Sequence, residues 1–147
     1  MSKLFLLLPI FILTLFGYER SNFLKTDEVV IDLKRNLMWQ DNSDAKIYLS
    51  NFTLAKEYCE TLSFSGFTDW KLPNIKELQT IVDVERKEVA IAKEFENFEP
   101  SSYWSSTVDM SNETNAWYVG FKTGATFKDS KDYDCYVRCV RTRFKDK

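Results

Sequence analysis

An α+β domain is the fold class that the sequence predicts. Three observations carry it: a hairpin pattern over residues 28–40, two stretches of helical periodicity between residues 53 and 84, and a series of strand-like segments from 103 to 142. A chain of 147 residues has the length of one domain. No internal repeat or low-complexity segment divides it.

Lys3 precedes an apolar run from Leu4 to Phe16, and Gly17 follows it, which is the charged start and short apolar middle of a secretory signal. A helix over that run would be about 20 Å long against a hydrocarbon core of about 30 Å, and Pro9 interrupts it, so a full membrane span is not expected. The small-residue pattern of a cleavage site is weak around Gly17. Residues 1–17 are therefore expected to be a signal peptide or an uncleaved N-terminal tether, with the protein secreted, periplasmic or at the cell surface.

Glu28–Leu33 and Leu37–Gln40 flank the polar turn Lys34-Arg35-Asn36 and predict a hairpin. Leu54, Ala55, Tyr58, Cys59 and Leu62 recur at helical spacing, with Thr53 as the expected cap and Gly66 closing the region. A second helix is expected to begin at Ile75, because Asn74 can accept from the backbone of residue 77 while Glu77 reaches back, a capping box. Ile75, Leu78, Ile81 and Val82 give it an apolar face, and it is expected to fade near Asp83–Val84. The charged stretch from there to Pro100 has no clear period. Tyr103–Thr107, Ala116–Lys122, Ala125–Phe127 and Tyr136–Thr142 then predict an antiparallel meander.

The chain contains no histidine, which removes Ser-His-Asp triads, Cys-His dyads and His-ligated metals. A formal charge of -2 supplies no basic field for nucleic acid, and four glycines form neither a P-loop nor a dinucleotide fingerprint. No cofactor is expected. Glu99-Pro100-Ser101 and the set Asp129, Asp132 and Asp134 complete no calcium-lectin motif and are read as solvated loop carboxylates.

In an oxidising compartment Cys59, Cys135 and Cys139 allow three pairings. If residues 136–142 are extended, Cys135 and Cys139 lie about 13 Å apart, beyond the roughly 7 Å that a disulfide spans. Cys59 is then left to pair with either Cys139 or Cys135. Arg138, between Val137 and Cys139, is expected to be partly buried, with Glu77 or Asp69 as its partner.

The ordered motifs LMWQ at 37–40, Ala55-x-x-Tyr58-Cys59, Gly66-x-x-Asp69-Trp70-Lys71-Leu72-Pro73-x-x-Lys76-Glu77-Leu78, YWSST at 103–107, AWYV at 116–119 and YVRCVR at 136–141 resemble the Lcl C-terminal-domain family. The resemblance covers residues 28–143. That family of exported bacterial domains is named for the carbohydrate-binding C-terminal domain of a collagen-like adhesin, which binds sulfated glycans and forms trimers. The resemblance implies a C-type-lectin-like fold related to formylglycine-generating enzymes, and it favours a Cys59–Cys139 disulfide. Those enzymes hold copper with a cysteine pair; a Cys139 tied to Cys59 leaves no such pair here, so no enzymatic activity is expected.

The expected function is recognition of a surface glycan or protein, the alternative being an envelope structural protein that binds only another protein; a homo-oligomer is compatible with either. Arg141, Arg143, Lys145 and Lys147 alternate along the C-terminal end and form the one local basic stripe, the candidate anchor for an acidic polymer. Trp39, Trp70, Trp104 and Trp117 suit core positions. Trp104 and Trp117 are the candidates for stacking on a sugar ring.

Overall fold

The computed structural model describes residues 21–144, and the expected leader at residues 1–17 lies outside them. The described chain is α+β, with three helices and two sheets. Strands β1 (Phe23–Thr26), β2 (Val29–Asp32), β3 (Leu37–Gln40) and β9 (Val140–Thr142) form one sheet in the order β1-β2-β3-β9. Strands β4 (Leu49–Ser50), β5 (Ser102–Val108), β6 (Asn115–Gly120), β7 (Ala125–Ser130) and β8 (Cys135–Tyr136) form the other, in the order β4-β8-β5-β6-β7. Helix α1 (Asp44–Ile47) follows β3 and precedes β4, and helices α2 (Phe52–Thr61) and α3 (Ile75–Gln79) lie between β4 and β5 in chain order. No helix among the described residues is long and apolar enough to cross a membrane.

The β2–β3 hairpin follows the expected pattern because Asp32 organises its turn. Its buried carboxylate accepts from the backbone N–H groups of Lys34 and Arg35, both at 3.0 Å, and pairs with the Arg35 guanidinium, while Asn36 supplies the left-handed residue at φ 57°. Both strands are buried along their whole length. Val29, Ile31 and Met38 enter one apolar cluster with Phe52, Cys59, Trp70, Trp104 and Cys139, whereas Val30, Leu37 and Trp39 enter a second with Leu78, Ile81, Ile91, Phe95, Tyr103 and Val119. A sheet covered on both faces accounts for continuous apolar runs such as Val29-Val30-Ile31.

Three expectations need correction. Asn51, not Thr53, caps α2, its side chain accepting from the Leu54 N–H; Asn and Thr are both good caps, and the helix starts one residue before Thr53. Helix α3 has the expected capping box on Asn74 and Glu77 but ends at Gln79, after which Ile81 reaches the core from a turn. The expected strand 136–142 is two strands in different sheets. β8 pairs with β4 antiparallel and with β5 parallel, and β9 pairs with β3, so residues 137–139 carry the chain across the molecule and only β5-β6-β7 form the meander.

Candidate functional site

The residues singled out in the sequence do not assemble into one site. Arg141 leaves the basic stripe: it is 5% exposed, its Nε donates to Asp69 Oδ1 at 2.6 Å, and its guanidinium carbon lies 3.7 Å from the Phe67 ring centroid. β9 ends at Thr142, so Arg143 does not continue its alternation. Arg143 is half-buried against Phe144, and Lys145 and Lys147 lie outside the described residues. Trp104 offers no sugar platform, since it is completely buried with its indole N–H donated to the Ser50 carbonyl at 3.0 Å. Trp117 is half-buried on β6, with the Lys128 ammonium 5.4 Å from its ring centroid.

Cys59 and Cys139 form a disulfide with Cα atoms 5.5 Å apart, and Cys135 is a free buried thiol. Burial, then Asp129 and Asp134 nearby, push that thiol up to about 12. It remains protonated at neutral pH and is a poor nucleophile.

Arg138 is buried as expected, but more deeply and with a different partner. Its guanidinium donates to Asp41 Oδ1 at 2.9 Å, to the Asn97 carbonyl at 2.6 Å and to the Gln40 carbonyl, and lies over Phe95 and Tyr103. Asp41 also contacts the Lys25 ammonium and accepts the N–H groups of Glu96 and Asn97 at 3.0 and 3.1 Å. The two residues proposed as partners are engaged elsewhere: Asp69 with Arg141, and Glu77 with its capping box and Lys71. This charge cluster ties the 93–99 loop to β3 and to the crossing segment, and its central pair, Arg138 and Asp41, is completely buried. It is a structural centre.

An aromatic row reaches the surface on β6 and β7. In register, Trp104, Tyr118 and Phe127 stand side by side across three strands, and Phe52 of α2 packs on Trp104. Ring centroids separated by 5.8, 5.9 and 5.6 Å make Phe52, Trp104, Tyr118 and Phe127 a row that runs from the core to the end of the sheet. The first two rings are buried, Tyr118 is half-buried, and Phe127 is 46% exposed. Burial, with smaller contributions from Cys135 and Asp129, raises the Tyr118 hydroxyl above its usual range. Beside this row, at the β5–β6 turn, is a groove of 360 Å³ lined by Val108, Asp109, Met110, Glu113 and Lys131. Lys128 and then the N–H and hydroxyl of Ser111 hold the Asp109 carboxyl below the usual carboxylate range. Sequence reasoning missed Tyr118 and Phe127; their signal was the aromatic pair at matching positions of adjacent predicted strands, legible only once the register is known.

A small two-sheet α+β domain, stapled by one disulfide and presenting an aromatic edge, is the class of protein that these features define. The chain belongs to the Lcl C-terminal domain family, whose model matches residues 28–141. No curated protein matches it.

Proposed function

We propose that this chain is an exported, non-enzymatic recognition domain of C-type-lectin-like architecture that binds a glycan or protein of the cell envelope through the β6–β7 face. The observation that carries the reading is the exposed end of the aromatic row, Tyr118 and Phe127, held on a sheet whose interior rings are locked by packing. Rigid aromatic faces offer large contact area at little entropic cost, to the apolar side of a sugar ring or to a partner's side chains alike. A site of that kind needs no cofactor. The engagement of Cys139 with Cys59, and the protonated state of Cys135, support the non-enzymatic reading over a copper-binding cysteine pair.

Binding through the C-terminal basic stripe is not supported, because Arg141 is committed to Asp69. The test is a glycan array and an envelope-protein capture run in parallel on the protein and on Phe127→Ser. The reading expects retention that Phe127→Ser weakens, with the share that comes from aromatic contact unscreened by added salt. Salt-sensitive binding of sulfated polymer that Phe127→Ser leaves intact would place the site elsewhere.

A further inference from the structure

We propose that the outer edge of β7 takes an extended, lysine-bearing segment of a partner protein as an added strand of the five-stranded sheet. The inference rests on the reading of the β6–β7 face as the recognition surface and specifies its partner. Among the described residues, no strand lies beyond β7. Just beyond β6, the Phe121 N–H donates to the Ser101 carbonyl beside β5 at 2.9 Å, and just beyond β7 the backbone N–H of Lys131 donates to the Thr114 carbonyl at 2.9 Å, which fixes the alternation. Phe127 and Asp129 therefore turn their backbone groups toward β6, while Thr126 and Lys128 turn theirs outward, the arrangement that strand addition uses.

Lysine on an edge strand ordinarily guards it against pairing. Here the Lys128 ammonium is drawn back, 2.9 Å from Asp109 and over Trp117, so it does not reach across the edge. The side chain on the other face of the edge is Phe127, an apolar anchor, followed on the same face by Asp129. Glu113 and Lys131 line the groove at the β5–β6 turn, where the Lys131 ammonium lies over the Phe52 ring at 5.2 Å. An incoming strand thus meets an apolar position opposite Phe127 and a negative one opposite Asp129, which selects a valine-like and a lysine side chain two residues apart.

The probe is a fluorescein-labelled peptide alternating threonine with valine and lysine, compared with the same peptide carrying glutamate for lysine and with a version N-methylated at alternate backbone nitrogens. The lysine peptide is expected to bind and to slow hydrogen exchange at the Thr126 and Lys128 amides. The glutamate peptide, and the lysine peptide on Asp129→Asn, should each bind about tenfold more weakly, and the N-methylated peptide should not bind. Equal binding of the N-methylated peptide, or no protection at Thr126 and Lys128, overturns strand addition. A neutral oligosaccharide that shifts the Tyr118 and Phe127 ring signals while the lysine peptide does nothing overturns this inference and leaves the recognition reading standing. If neither probe shifts those signals, both fall.

Discussion

Replacing Arg138 by methionine would keep most of the side-chain volume and remove the charge that faces Asp41. Both side chains are completely buried, so the substitution leaves a carboxylate with only Lys25 to neutralise it. Breaking a buried pair in this way costs about 3–5 kcal/mol, and urea denaturation should show a loss of that size for Arg138→Met. Arg141→Met should cost less, because its partner Asp69 keeps 30% of its side chain in water. The burial of Arg138 was legible from strand alternation between apolar neighbours. Its partner was not, since Asp41 lies 97 residues away and nothing local distinguishes it from any other carboxylate after a strand. The opposite error occurred at Arg141, where alternating basic residues suggested a solvated stripe although the strand stops at Thr142.

At the scale of elements, local chemistry was readable wherever it closes on itself. The Asn74–Glu77 capping box and the 34–36 turn are short-range hydrogen-bond devices, and both stand where the sequence places them. Strand partners are long-range, which is why Tyr136–Thr142 looked like one strand rather than two in separate sheets. The turn between β6 and β7 offers a direct test of how tightly the elements meet. Gly124 has φ +78°, and a Cβ there would lie 2.7 Å from Val82 Cγ1 and 3.1 Å from Ala90 Cβ. Gly66 has nearly the same φ, +80°, but a Cβ there meets nothing within 4 Å. Gly66→Ala should therefore cost only the left-handed backbone term, about 1–2 kcal/mol. Gly124→Ala should cost that much plus the displacement of Val82, and thermal melts of the two variants should separate by several degrees. Equal melting points would mean that the loop carrying Val82 yields without cost.

Across the whole molecule, two apolar clusters share one chain, and the groups trapped between elements set its pH response. Burial raises both the Cys135 thiol and the Tyr58 hydroxyl to about 12, from ordinary values of 9.0 and 10.0. For Tyr58, Asp44 adds to the rise and a hydrogen bond with Gln40 opposes it. Folding favours the neutral form of each acid, so their contribution is complete below pH 9 and is lost as the pH climbs toward 12, where the unfolded chain has released protons that the native state still holds. The urea midpoint should fall across that window, and Cys135→Ala should make the fall shallower.

The disulfide acts on the same scale. Cys139 sits where the chain leaves β8 for β9, between the two sheets, and Cys59 sits on α2, which packs on β5 through Phe52 and Trp104. One bond thus fastens the crossing segment to the helix that covers the second sheet. It closes a loop spanning 80 residues, and the chain-entropy account assigns such a loop about 4–5 kcal/mol of destabilisation of the unfolded state. Both cysteines are completely buried, so a reductant has no direct path to the bond in the folded protein. Reductant alone should therefore leave the native fold intact over short times, and the bond should open only once urea exposes it. Paired substitution Cys59→Ala with Cys139→Ala avoids that kinetic barrier. It should lower stability by about 2–5 kcal/mol and steepen the dependence on urea, because an unfolded chain without the crosslink exposes more surface. Peptide mapping of the intact protein under non-reducing conditions should recover Cys59 joined to Cys139, with Cys135 accepting a thiol label only after denaturation. An unchanged urea midpoint in the paired variant would mean that the crossing segment is held by Arg138 and Asp41 rather than by the disulfide, and a label on native Cys135 would mean that β8 opens in the native state.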